Sequence, residues 1–288
     1  MPRLSPRNPR SVSHPLFSET RTASPVIGIR GRLFAASMLA FVAIFVVGLL
    51  GLFAADLAYV DADAFGRVLS SETFRHAIWV SLWTTVVTTI IGLLFAIPMG
   101  YALSRYRFPG HALIDSIVDL PIILPPLVLG LSLLVFFFQT DVGRWMESKG
   151  LRFALEPQGI VLCQFLVSAS FGIRAIKLTF DGIDPRFEYV AMTLGCTRGG
   201  AFFRVALPMA RRGIIVGGIL IWTRAVGIYA PLSVFVGDVP GDTAVLPTAI
   251  FLETSTGDIE VALAAALLML AMATVALVVV RVVGLAQR

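Results

Sequence analysis

The chain has 288 residues, 57% of them hydrophobic and 14% charged, with a formal net charge of +5, whereas a soluble domain is about 45–50% apolar and about 25% charged. That balance excludes an ordinary soluble domain, a disordered chain and, with two isolated cysteines, a disulfide scaffold. The 23 Lys and Arg are spread along the chain, so a nucleic-acid binder with a dense basic face is excluded too. A single multi-pass helical membrane domain fits, each span needing about 20 apolar residues.

In chain order, residues 1–32 are rich in Pro, Ser and Arg and are expected to form a disordered tail, either resting on anionic lipid or simply solvated. Leu33–Ala55 is a 23-residue apolar run, longer than the roughly 7–15 residues of a signal-peptide core, and is predicted to be a retained first span. With its following loop it makes a region 33–75 outside the main core, 76–283. Within the core, spans are predicted at 76–103, 113–138, 158–180, 213–236 and 259–283. Trp79, Trp83 and Tyr101 read as lipid-facing or interfacial aromatics. His14, His76 and His111 are too scattered for metal ligation or catalysis. Cys163 and Cys196 read as small buried fillers. No Gly-x-x-x-x-Gly-Lys-Ser/Thr string occurs, so the chain is expected to bind neither ATP nor any other cofactor itself.

Charge sets the predicted orientation. With the N-terminus inside, seventeen of the 23 Lys and Arg fall on inner segments, five on outer ones, and Arg224 lies within the fifth span. The asymmetry places both termini in the cytoplasm. The external segment 237–258 then has no Lys or Arg, and Asp238, Asp242, Glu253 and Asp258 are expected to face out.

The cytoplasmic segment 181–208 is patterned rather than merely polar. Asp184-Pro185 suits a helix start, Gly195 a stop, and Phe187, Val190, Ala191 and Leu194 recur at i, i+3, i+4 and i+7. A second run, Arg198–Ala206, is expected to end before Pro208. The apolar stripe either folds back on the bundle or docks in a groove of a cytoplasmic partner. In the third span, Pro121, Pro125 and Pro126 remove backbone donors and require a kink or break, which is either a packing feature or the lining of a pathway.

The stretch from Glu188 to Pro208, EYVAMTLGCTRGGAFFRVALP, resembles the cytoplasmic motif of ATP-binding-cassette (ABC) importer permeases: Gly195, nine residues, then Val205-Ala206-Leu207-Pro208. It departs at Tyr189, where the family usually has Glu, with Glu188 one place earlier. Ile114–Leu134, IDSIVDLPIILPPLVLGLSLL, is similar to the Asp-Leu-Pro, Leu-Pro-Pro and Gly segment of molybdate, tungstate and sulfate permeases. YALSRYRFPG from Tyr101, TRAVGI from Thr223 and PGDTAVLPTAIF from Pro240 are similar to further segments of that family. Ile228 stands where the family usually has Glu.

The resemblance, over about residues 76–283, implies an all-α, six-span type I permease bundle in the inner membrane, with a cytoplasmic coupling helix. It implies two identical copies around one pathway, separate cytoplasmic subunits that bind ATP and Mg, and an extracytoplasmic substrate-binding protein. Glu188, Tyr189, Ala191, Gly195, Val205, Leu207 and Pro208 would carry the coupling. Pro121, Pro125, Pro126, Gly130, Arg224 and Gly227 would line or shape the path, unless Arg224 is instead held in a salt bridge with Asp115 or Asp119. The cargo implied is an oxyanion, molybdate or tungstate first and sulfate second. An ABC permease for another small solute and an ion-coupled secondary transporter are the alternatives.

Overall fold

The structure, a computed structural model, describes residues 29–285, with side chains from 31 to 278. Of the tail expected at 1–32, residues 1–28, with His14, lie outside the described residues, as do the side chains of Arg281 and Arg288, while 29–32 already belong to the first helix instead of a tail. The chain divides at Ala54/Ala55 into two compact units. The described part of the first is most of helix α1 (Ile29–Tyr59). Its run from Leu33 to Leu50 is apolar on every face and exposed throughout, as a lipid-facing span is.

The second unit is helical in every regular element described. After α2 (Ala62–Ser70) come α3 (Glu72–Arg105), α4 (His111–Ile123), α5 (Pro126–Gln139), α6 (Asp141–Ser148) and α7 (Pro157–Asp181). The short α8 (Arg186–Thr193) and α9 (Arg198–Ala201) lead through a π turn (Phe202–Ala206) into α10 (Leu207–Val226). Then follow α11 (Ala230–Phe235), α12 (Leu246–Thr256) and α13 (Ile259–Leu285). Among the described residues, five helices are long and apolar enough to cross a bilayer, and the bent pair α4 and α5 makes a sixth crossing if counted as one span.

Helices α3, α7 and α10 form the centre. In lipid there is little hydrophobic drive between helices, so close approach of small residues matters most. A Cβ at Gly172 would lie 2.3 Å from Ile221, and one at Gly217 would lie 2.7 Å from Ile176; their absence lets α7 and α10 meet backbone to backbone. Between α3 and α7 a buried polar seam adds direction. Thr88 Oγ1 donates to Gln164 Oε1 at 2.9 Å, and Gln164 Nε2 donates to Thr84 Oγ1 at 3.4 Å.

Three sequence expectations are corrected. The fifth span, predicted at 213–236, ends at Val226, because Gly227 caps α10 and Pro231 starts a separate short helix. The helix predicted to stop before Pro208 runs on, because the π turn shifts the hydrogen-bond register. Leu207 N–H donates to Phe202 O, so the donor missing at Pro208 breaks nothing. The segment 237–258 is not wholly outward-facing: Asp238 accepts from Ser233 Oγ at 2.7 Å and its other oxygen is buried. Its later part folds as α12, whose first N–H, Leu246, donates to the buried Ser81 Oγ at 2.7 Å.

Candidate functional site

The segment predicted to couple the chain to a partner forms one end of the second unit, here named the α8 end. Asp184 Oδ1 accepts from Arg186 N at 2.9 Å and so starts α8. Gly195, at φ +92°, ends it in the left-handed region that L-residues adopt only at a cost. The apolar stripe does not fold back: Phe187, Tyr189 and Val190 are more than half exposed and Leu194 is 82% exposed. Ala191 is half-buried beneath them.

Glu188 alone on α8 is buried. It accepts from Tyr101 Oη at 2.5 Å and from Arg105 Nε at 2.8 Å, both on the last turn of α3. Arg105 Nη2 also donates to the Ile183 carbonyl at 2.9 Å, bracing the link between α7 and α8. The Tyr101 ring packs edge-on against Phe202, with centroids 4.6 Å apart, and against Phe180 at 5.3 Å. Of the two positions expected for Tyr101, lipid-facing or interfacial, these contacts exclude the first, and the Glu188 carboxylate is turned into the chain instead of outward. Arg107 and Arg198 line an open cleft of about 260 Å³ beside this latch. Val205 lies in the π turn, which contacts α8, and Leu207 and Pro208 start α10, beside the buried Ala206 in sequence. Cys163 is buried as expected, but Cys196 is only half-buried, in the turn after α8.

The residues assigned to a pathway fall in separate places. Pro121 lies inside α4, while Pro125 is the N-cap and Pro126 the first residue of α5, which meets α4 at a bend of 108°. Gly130 is a packing glycine on α5: a Cβ there would lie 2.7 Å from the Pro231 backbone on α11. Arg224 is on the last turn of α10, its guanidinium 5.7 Å over the Phe171 ring and its Nε buried without a hydrogen bond. Gly227 follows as the cap, with open space where its Cβ would be. Ile228, which replaces an expected Glu, is 2% exposed and packs with Ile160, Leu232 and Phe235.

The salt bridge suggested between Arg224 and Asp115 or Asp119 does not form, because both acids are already paired with α7. Arg174 holds Asp119 through Nε and Nη2 and reaches Asp115 Oδ1 at 3.1 Å. Lys177 Nζ donates to both Asp115 oxygens at 3.0 Å. Sequence reasoning counted Arg174 and Lys177 only as part of the positive inner charge. Their spacing of three on one helix, opposite acids spaced four apart, was the signal that they share a face.

A family model described as the binding-protein-dependent transport system inner membrane component matches residues 89–287. The molybdenum transport system permease protein ModB of Escherichia coli K12 is 36% identical over 179 residues, covering 60% of this chain and 78% of that protein. The sulfate transport system permease protein CysT of the same strain is 30% identical over 217 residues, covering 75% and 78%. A solved bacterial ABC transporter involved in the import of the acidic polysaccharide alginate shares the fold, with a TM-score of 0.67 at 20% identity over 88% of this chain and 96% of that one. With residues 89–287 under one family model, this chain belongs to the binding-protein-dependent transport system inner membrane components, the multi-pass permease subunits of ABC importers.

Proposed function

We propose that this chain forms the membrane pathway of an ATP-driven importer for a tetrahedral oxyanion, molybdate or tungstate in the first place. The observation that carries the substrate class is the likeness to ModB over 179 residues. The likeness to CysT supports sulfate as the second reading. As a permease of this family the chain is not itself an enzyme; the ATPase is a separate subunit. Family membership takes the place of the ion-coupled alternative.

In this reading both termini and α8 are cytoplasmic, supported by the distribution of Lys and Arg. The residues before α1 are a tail, α1 and the region up to 75 are an addition, and 76–283 is the transport core. Two copies of the chain enclose one path, and a substrate-binding protein delivers the oxyanion to the outer face. The exposed stripe of α8 seats in the ATPase, with Tyr189 and Ala191 on the contact. Glu188 acts indirectly, by fixing the angle of α8 on α3. Gly195 sets where α8 ends, and Val205, Leu207 and Pro208 join its motion to α10. ATP and Mg stay on the partner. Pro121, Pro125 and Pro126 shape the broken span, with Gly130 seating its second half. Arg224 and Gly227 present a cation beside the path; Arg224 has no carboxylate partner among the described residues, which suits transient attraction of an anion.

The test is to purify the tagged chain from its own cells in mild detergent and identify what accompanies it by mass spectrometry. A near-equal amount of an ATPase subunit is expected, and the co-purifying binding protein should bind molybdate or tungstate more tightly than sulfate. A chain that stays alone in detergents that preserve other ABC importers would overturn the coupling assignment.

A further inference from the structure

At the α8 end the chain carries two cavities that share Tyr101, Tyr106 and Arg198 and differ in character. The cleft of about 260 Å³ beside the latch is polar and is bounded on the α8 side by Met192. The second, of about 270 Å³, is an open apolar groove formed by Pro98 and Ala102 of α3 and by Gly199 and Phe202, with Arg198 as its one charged residue. No charged residue interrupts α3 between Arg75 and Arg105. That run covers about 45 Å of helix at about 1.5 Å per residue, the thickness of a bilayer with its headgroups. Pro98 lies seven residues before Arg105, so the groove reaches about 10 Å down the helix, below a headgroup layer of about 5–7 Å. One end of it therefore stands among acyl chains and the other at the water boundary. The charges there are unbalanced. Glu188, the one acid lining the cleft, is taken by Arg105 at 2.8 Å, while the guanidinium groups of Arg107 and Arg198 have no hydrogen bond or ion pair among the described residues.

We propose that the joined groove and cleft are a binding site for one anionic phospholipid of the leaflet at the α8 end, with an acyl chain along Pro98, Ala102 and Phe202 and the phosphate at Arg107 and Arg198. It rests on the importer reading only in taking that leaflet as the cytoplasmic one. Three features select this ligand. The apolar half continues into the bilayer, and a soluble anion or an acidic side chain of a partner would leave it unfilled. The polar half holds two uncommitted cations, each able to grip a phosphate with a planar fork, and their excess positive charge favours a lipid of net negative charge over a zwitterionic one. Tyr106, exposed where the two halves meet, stands edge-on to Tyr101 at 6.1 Å between centroids, and an amphipathic ring at headgroup depth suits that boundary. The same lipid touches the end of α3, Met192 of α8 and Arg198 of α9, so it braces α8 beside the Glu188 latch.

The test uses the purified complex of permease and ATPase, with native mass spectrometry counting the lipids retained as phosphatidylglycerol or phosphatidylcholine of the same chain length is titrated in. One phosphatidylglycerol per permease chain should bind roughly thirtyfold more tightly than phosphatidylcholine, the scale of two basic residues at an anionic headgroup. Arg107→Gln with Arg198→Gln should abolish that preference, and Arg107→Lys with Arg198→Lys should keep part of it. Gly199→Leu, which adds a side chain in open space beside the groove, should weaken binding of the same lipid with both cations in place. Tm and co-purified ATPase check that these surface variants fold. An unchanged preference in the Gln pair overturns the proposal. So does equal competition by water-soluble glycerol phosphate, which would make this a site for a free anion. Loss of the ATPase with the lipid retained also overturns it, giving the arginines to a partner carboxylate. If the chain purifies without an ATPase, the importer reading fails, and the lipid count on the chain alone still decides the site.

Discussion

Helices α4 and α5 are halves of one broken span, yet one is held by charges at its surface and the other by backbone packing in its interior. Packing against a neighbouring backbone is tight and has a single geometry, whereas an ion-pair cluster fixes direction through charge and hydrogen bonds. The difference teaches that the two sides of a proline break are seated by different means, close backbone approach on one side and paired charges on the other. The α8 latch belongs to the second kind. Its charge pair joins two helix ends and leaves the apolar face of α8 free for a partner.

The sharpest break of the contrast is Gly130→Val. The new side chain would collide with the Pro231 backbone, so a destabilisation of about 3 kcal/mol or more is expected, read as a large fall in the Tm of the purified chain in detergent. A variant with normal Tm would mean that α5 is not anchored by packing. Arg174→Ala comes next. It strands Asp119, whose side chain is 30% exposed, and leaves Asp115 on Lys177 alone, so a cost of roughly 1–2 kcal/mol is expected, below the ~3–5 of a fully buried pair. Arg174→Lys should recover part of that Tm but not the uptake.

Comparable and smaller effects sharpen the account of α8. Glu188→Gln removes the charge that Arg105 and Tyr101 converge on. It should cost about 1–3 kcal/mol, with uptake falling more than ATPase activity. Gly195→Leu forces an L-residue to φ +92° in otherwise open space, so strain alone, roughly 1–2 kcal/mol, should act. ATP hydrolysis should then run without uptake; unchanged uptake at a normal ATPase rate would remove Gly195 from the coupling. Trp79→Leu, at a side chain 65% exposed, should change Tm by less than the equivalent of about 0.5 kcal/mol.

Much of this was legible in the sequence, and the limits have physical causes. Long apolar runs and the Asp184-Pro185 to Gly195 interval fixed the spans and α8, because hydropathy and caps are local signals. The proline break was equally local. What escaped was pairing at a distance. Glu188 finds Tyr101 and Arg105 more than 80 residues away, and Asp115 finds Lys177 rather than Arg224. Charge counting alone cannot say which base an acid meets. The π turn was hidden for a different reason: Pro208 is a stop signal unless the register shifts upstream, as it does where Leu207 N–H donates to Phe202 O.

The central claim is that ATP, not an ion gradient, drives an oxyanion through this chain. Its most direct test is uptake of radiolabelled molybdate by proteoliposomes holding the permease with its co-purified ATPase subunit, with binding protein outside and ATP inside. The account predicts uptake that requires ATP and binding protein together and that survives an uncoupler. Uptake that persists without ATP and collapses with the uncoupler would contradict it.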